Sequence, residues 1–285
     1  MSLSIEQVQP VIVTAPTPWD GAILVQRLLN SSGQIIVYGE NRHFCESLAA
    51  LVHDAQWIHL TSHKSVEEAR ARFLSGARDA WSANLWPHTR MYLKHTVETF
   101  YGFVLFYQMS SERYGFQRWG IRHCFADVTA FDRFRRLLSR GRFLYVYRNL
   151  FDVARSAKAR GTLATPDALE QLATTWSVSV NAVSKMQAEN LRIIRYEELF
   201  RDAAQSIGGV ESFTGVTKIK PDVLEEDRKG TREAHEHADS QPREAREIET
   251  LTEAEIETLR QHAGDVLEQL GYNNPRTSNA TLTSA

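Results

Sequence analysis

The chain has 285 residues, 42% of them hydrophobic, with 33 lysines and arginines against 35 aspartates and glutamates and a formal net charge of −2. That length and apolar content can bury a large core. The near balance of charge lacks the footprint of a general nucleic-acid or membrane-surface binder, so the expected partner is a small or anionic ligand. Two cysteines, Cys45 and Cys124, exclude a disulfide scaffold or a cysteine-rich zinc site. No basic N-terminal segment precedes an apolar run and no apolar stretch reaches bilayer-spanning length, so the expected location is the cytoplasm.

Val11-Ile12-Val13-Thr14-Ala15 is short, β-branched and bounded by prolines, the pattern of a fully buried first strand. Gly21 to Asn30 carries Ile23, Leu24, Leu28 and Leu29 at helical spacing, and Ile35-Ile36-Val37-Tyr38 reads as a second strand. Such a βαβ unit predicts a parallel sheet with a right-handed crossover. Residues 43 to 115 are predicted mostly helical, with the aromatic stretch Phe100, Tyr101, Phe103, Phe106, Tyr107 expected in the core or walling a pocket. A third strand is expected over 117–122, a helix over 127–138, a strand over 143–147 and a helix from Asp152. A long helix around 169–188, a strand over 191–194 and a short helix from Glu197 complete the alternation.

The charged composition of 220–249 predicts a mobile surface loop. Thr252, with Glu255 three residues on, marks the start of a last helix over 253–270, and Gly271 its stop. One domain over 1–272 and a disordered tail over 273–285 are expected.

The most informative segment is Arg148-Asn149-Leu150-Phe151-Asp152-Val153-Ala154-Arg155-Ser156, directly after the apolar run ending in Tyr147. A buried strand that ends in arginine and opens a helix with a serine eight residues on puts a guanidinium and a hydroxyl where a phosphate fits. An arginine pairing with a nearby carboxylate such as Asp152 is the plainer reading of the same residues.

The segment resembles the 3′-phosphate-binding element of sulfotransferases that use 3′-phosphoadenosine-5′-phosphosulfate (PAPS), matching at Arg148, Asn149, Asp152, Val153, Ala154 and Ser156. Other segments follow in the family's order. Leu28-Leu29-Asn30-Ser31 with Val37-Tyr38-Gly39-Glu40 is similar to the first helix and second strand of bacterial members and of tyrosylprotein sulfotransferases. Arg118-Trp119-Gly120-Ile121-Arg122-His123 resembles the Trp-Gly-x-Lys segment with arginine for lysine. Ile194-Arg195-Tyr196-Glu197-Glu198-Leu199 resembles the Arg-Tyr-Glu-Asp-Leu signature, and Arg228-Lys229-Gly230 the late loop that closes on the 3′-phosphate.

The resemblance implies an α/β fold: a P-loop-kinase-like doubly wound sheet, mainly parallel, with helices on both faces and a helical insert between strands 2 and 3. It implies that PAPS, or its product 3′-phosphoadenosine-5′-phosphate, binds through Gly21, Arg148, Ser156, Tyr196, Arg228, Lys229 and Gly230. Trp19 and Arg122 are then expected beside the substrate, a small-molecule or peptide acceptor. Glu40 matches the glutamate base of tyrosylprotein sulfotransferases, with His123 as second choice. No metal is required, and His235 and His237 have no third ligand at recognisable spacing.

One segment departs from the family. Members have Pro, Lys or Arg, Ser, Gly, Thr, Thr in the first loop, where this chain has Pro18-Trp19-Asp20-Gly21-Ala22-Ile23. The basic residue that neutralises the leaving charge and the hydroxyls that cap the phosphate are gone. A carboxylate about 4 Å from a phosphate repels it by roughly 4 kcal/mol at an effective dielectric near 20, so Asp20 has to point away or be protonated if the donor binds. Arg27, Arg42 and Arg122 are the cations considered as replacements. Two further readings stay open: a different donor or chemistry with Asp20 and Glu40 as acid and base, and a catalytically inactive binding protein.

Overall fold

The structure, a computed structural model, describes residues 8–40, 44–77, 86–125, 127–228, 250–272 and 275. Among them five strands run parallel in the order β2-β3-β1-β4-β5. These are β1 (Val11–Thr14), β2 (Ile35–Tyr38), β3 (Arg118–Arg122), β4 (Arg142–Tyr147) and β5 (Leu191–Arg195). The chain is α/β, with the helical insert between β2 and β3 formed by α2 (Phe44–Leu74) and α3 (Thr89–Arg113).

Side-chain alternation along the strands sorts the core into two layers. Val11, Val13, Leu144 and Val146 face α1 (Ala22–Ser31), α7 (Glu198–Arg201), α8 (Ala203–Thr214) and α9 (Asp222–Arg228). Ile12, Phe143 and Tyr145 face the other way, onto α2, α3, α4 (Val128–Leu137), α5 (Leu150–Ala159), α6 (Pro166–Ser184) and α10 (Glu253–Gln269). Removing each large apolar side chain from water contributes ~1.5–3 kcal/mol, which is why β1, at the centre of the sheet, carries Val and Ile on both faces. Gly120 lets β3 approach β1: a Cβ there would stand 2.3 Å from the Val11 carbonyl oxygen.

Three expectations need correction. Asp222–Arg228 is helical rather than part of a charged loop, because Leu224 is buried and Asp222 and Glu225 sit in the first turn, where carboxylates suit the helix dipole. Ala203–Thr214 forms a further helix, capped by the Asp202 carboxylate on the Gln205 N–H at 2.9 Å. The aromatic stretch is only partly core: Phe100 is buried, whereas Phe106 is 62% exposed. The rest of the charged loop, 229–249, lies outside the described residues, as does the tail apart from Pro275.

In this topology β1 has β3 on one side and β4 on the other, so connections leave it in opposite directions and a crevice opens beyond the carboxyl ends of the strands. Every strand is followed there by a segment carrying one of the singled-out residues: Asp20 and Gly21 after β1, Glu40 after β2, His123 after β3, Arg148 after β4 and Tyr196 after β5.

Candidate functional site

The loop after β1 is organised from within by Asp20. Its carboxylate is 1% exposed and accepts the Thr17 N–H at 2.9 Å, the Thr17 hydroxyl in a short contact and the Arg148 N–H at 3.3 Å. Burial pushes its pKa up to about 8, against the pull of those donors and of the Arg148 charge. Both oxygens are engaged inside the protein, so Asp20 points away from the crevice and ties the β1 loop to the β4 loop. Gly21, the N-cap of α1, has φ 93°, and a Cβ on it would stand 2.2 Å from the Tyr196 ring. Trp19 also has a left-handed backbone, φ 79°, a conformation that costs a bulky residue ~1–3 kcal/mol. Its ring carries the Arg160 guanidinium, 4.1 Å from the centroid, a contact worth ~0.5–2 kcal/mol.

Arg148 closes the crevice from the β4 side. Its guanidinium lies over the Tyr196 ring at 4.6 Å from the centroid, and its Nε is buried without a hydrogen-bond partner. A buried N–H without an acceptor costs ~1–3 kcal/mol. The backbone around it is fixed on three sides. The Trp176 indole N–H donates to the Arg148 carbonyl at 3.1 Å, the Asn149 N–H donates to Glu197 at 2.9 Å, and the Asn149 side chain caps α5 by accepting the Phe151 N–H at 3.0 Å. Asp152 pairs with Arg155 at 2.5 Å rather than with Arg148, and burial raises its pKa, opposed by both arginines. Ser156 is half-buried one helical turn further along α5.

Tyr196 is 6% exposed, wedged between Gly21 and Arg148, with its hydroxyl donating to Asp227 at 2.9 Å. Asp227 and Glu226 also hold Arg27, at 3.7 and 2.9 Å, which commits that cation to the α1–α9 contact. Arg122 reaches Glu40 at 3.5 Å and Gln26 at 2.9 Å. The Glu40 carboxylate, 41% exposed, accepts the Cys124 N–H at 3.3 Å. The Cys124 thiol, whose pKa burial raises, faces the Thr17 carbonyl at 3.9 Å, so Glu40 borders the same loop as Asp20. His123 is 2% exposed, with its ring against Phe125 and 3.5 Å from Glu46.

The structure thus brings Asp20, Gly21, Arg148 and Tyr196 together, with Trp19 in the same loop but packed on Arg160, Ser156 along α5, and Glu40 and Arg122 on the adjoining rim. His123 lies beneath that rim. Arg228 ends α9, while Lys229, Gly230 and Arg42 lie outside the described residues. Sequence reasoning missed Arg160 and Glu197. Arg160 stands four residues after Ser156 on one helix face, a spacing that could have drawn attention to it. Glu197, which accepts the Tyr272 hydroxyl at 2.8 Å as well as the Asn149 N–H, lies in the signature-like segment 194–199, but its partners are distant in the chain and its role was not legible there.

Two recesses, of about 430 and 580 Å³, open at the opposite, amino-terminal end of the sheet, lined by Arg118 and Glu112 in one case and by Arg140 and Arg142 in the other. Neither touches the grouping above, and we favour the carboxyl end because it alone combines an unpaired buried N–H, strained loop backbone and convergent loops. Among the described residues no cluster of His, Cys, Asp and Glu could hold a metal ion, and no helix is long and apolar enough to cross a membrane.

No protein-family model matches the chain, and no curated protein matches it either. Among solved structures it is similar to the sulfotransferase domain from the curacin biosynthetic pathway, at 15% identity and TM-score 0.46, covering 76% of this chain and 77% of that one. The sulfotransferase domain of the Synechococcus PCC 7002 olefin synthase is similar at 13% identity and TM-score 0.43, covering 90% and 95%. Sulfotransferase STF9 from Mycobacterium avium is similar at 12% identity and TM-score 0.41, covering 92% and 76%.

Proposed function

We propose that this chain is a sulfotransferase-like enzyme that binds PAPS in the crevice above β1 and β4 and transfers its sulfuryl group to a hydroxyl of a small-molecule or peptide acceptor. The observation that carries the reading is Arg148. It is a half-buried guanidinium at the end of a central parallel strand, with a buried Nε–H that has no acceptor among the described residues. It heads helix α5, whose positive dipole end and Ser156 hydroxyl add to a phosphate-binding set. A 3′-phosphate supplies the acceptor that this N–H lacks.

The rest of the site is consistent with that assignment. Asp20 does not repel a phosphate at the α1 N-terminus, because its carboxyl is turned inward and burial favours its neutral form. Its engaged oxygens also weigh against the reading in which Asp20 and Glu40 share acid and base work. Glu40, exposed on the rim, takes the proton of the acceptor hydroxyl. The acceptor oxygen forms the new bond to sulfur as the bond from sulfur to the 5′-phosphate oxygen breaks, and 3′-phosphoadenosine-5′-phosphate leaves.

Titration calorimetry of 3′-phosphoadenosine-5′-phosphate against the wild type and Arg148→Ala tests the reading. Expected is micromolar binding that falls about a hundredfold or more in the variant, the scale of losing a charge-assisted, bidentate phosphate contact. Absence of wild-type binding overturns the assignment.

A further inference from the structure

Glu40 stands just beyond the end of β2, an edge strand, and its side chain is 41% exposed. A glutamate in that place has several rotatable bonds, yet a general base has to keep its oxygen within hydrogen-bond reach of one proton. Two donors hold it. The Cys124 N–H lies 3.3 Å and Arg122 Nη1 3.5 Å from the same oxygen, Oε1, and neither touches Oε2.

Arg122, the last residue of β3, is itself held. Its Nε donates to Gln26 Oε1 at 2.9 Å, and Gln26 Nε2 donates to the Val37 carbonyl of β2 at 2.8 Å. The bond to Val37 fixes which end of the Gln26 amide meets the guanidinium. It is not required to satisfy the strand, because Asn30 Nδ2 also reaches the Val37 carbonyl, at 3.3 Å, and Asn30 Oδ1 accepts the Val37 N–H at 2.7 Å. An amide oxygen orients the guanidinium through a hydrogen bond that leaves its charge to Glu40, whereas a carboxylate at position 26 would compete for that charge. Because the guanidinium is a rigid planar fork, pinning Nε also sets where Nη1 lies. The chain of contacts runs from α1 through the end of β3 to the residue that follows β2.

We infer that Gln26 is a positioning residue of the proposed reaction: through Arg122 it holds Glu40 by Oε1 and leaves Oε2 to take the proton of the acceptor hydroxyl. The proton passes to Oε2 as the acceptor oxygen bonds to sulfur, and the electron pair of the breaking bond stays on the 5′-phosphate oxygen. The inference rests on the function proposed above, with Glu40 as its base, and the variants that test it separate the two.

Release of adenosine 3′,5′-bisphosphate from PAPS, with water alone and with phenol as the probe acceptor, is measured for the wild type, Glu40→Gln, Gln26→Leu, Gln26→Glu and the double variant Glu40→Gln/Gln26→Leu. Gln26→Leu should lower kcat about tenfold, a part of what a general base supplies, and leave the KM for PAPS and the calorimetric affinity for adenosine 3′,5′-bisphosphate within about twofold. Gln26→Glu, which keeps an acceptor for Arg122 Nε but draws on its charge, should fall between. In the Glu40→Gln background Gln26→Leu should lower kcat no further, since it acts through the carboxylate, whereas a merely structural residue lowers both backgrounds alike. Melting curves within a few degrees of the wild type show that the variants are folded. If Gln26→Leu leaves kcat unchanged, or lowers it by the same factor with and without Glu40, the role of Gln26 is overturned and the proposed function stands. If Glu40→Gln loses no turnover, the base is another group and the inference fails while sulfuryl transfer stands. If the wild type releases no bisphosphate from PAPS, the proposed function and the inference both fall.

Discussion

The β4–α5 junction and the β1–α1 loop meet over the same crevice but are built on opposite terms. In the junction the side chains follow one another along a strand end and a helix, so Arg148, Asn149, Asp152 and Ser156 are placed by helical geometry and backbone caps. In the loop, the side chains at 19 and 20 do not face a ligand on their own account. Asp20 turns inward to bind Thr17 and the Arg148 N–H, and Trp19 serves as the rest for a guanidinium from α5. The comparison teaches that one element of a crevice can be fixed by its own consecutive residues while its neighbour is fixed by contacts from distant ones. The loop depends on its dihedrals, on one close glycine contact and on groups that other elements bring to it.

The largest expected effect breaks that frame. Gly21→Ala puts a Cβ 2.2 Å from the Tyr196 ring at a backbone φ of 93°, so unfolding experiments should show a loss on the order of 3 kcal/mol from strain and displacement of Tyr196 combined. If the stability is unchanged, the loop does not hold the conformation on which the comparison depends.

Asp20→Asn tests how the two regions are tied. An amide cannot accept from Thr17 and Arg148 alike, so one donor is left without an acceptor and stability at acidic pH should fall by ~1–3 kcal/mol. The pH dependence carries the sign. The folded pKa, about 8, lies above the ordinary value of 3.8, so the folded state holds the proton more tightly than the unfolded one. The advantage of the wild type over the variant is therefore full below about pH 3.8 and is lost as pH rises toward 8. The wild type's lead in melting temperature should shrink as pH rises through that range and then reverse, because the shift outweighs the lead; a lead that grows with pH would mean that Asp20 is held as an anion.

Much of the fold was legible in the sequence, for local reasons. The Val and Ile runs of the central strands and the Thr252–Glu255 cap are written in contiguous residues, and their positions agree with the structure to within a few residues. Strand order was not legible, because nothing in the residues of β1 says that β3 and β4 flank it. Helix α8 escaped because Gly208 and Gly209 dilute its propensity and only Ile207, Val210 and Thr214 are buried, although Asp202 offered a cap signal. Arg148 stood out because strand, arginine and helix are consecutive. Arg160 did not, since its meaning depends on Trp19, which chain folding brings across the crevice.

The smallest expected effect sets a boundary on the comparison. Helix α10 begins with a full capping box, in which Thr252 Oγ accepts the Glu255 N–H at 3.2 Å and Glu255 accepts the Thr252 N–H at 2.7 Å. Glu255 also holds Lys158 of α5 at 2.8 Å, so this helix end braces the β4–α5 element from outside the crevice. Thr252→Ala removes one of these bonds and should cost about 1 kcal/mol in urea unfolding. The Glu255–Lys158 contact survives the substitution and α5 keeps its Asn149 cap and its core contacts, so the affinity for adenosine 3′,5′-bisphosphate should not change. A drop in affinity would show that Arg148 and Ser156 are positioned by α10 as much as by their own strand and helix, and the junction would then be as dependent on distant residues as the loop.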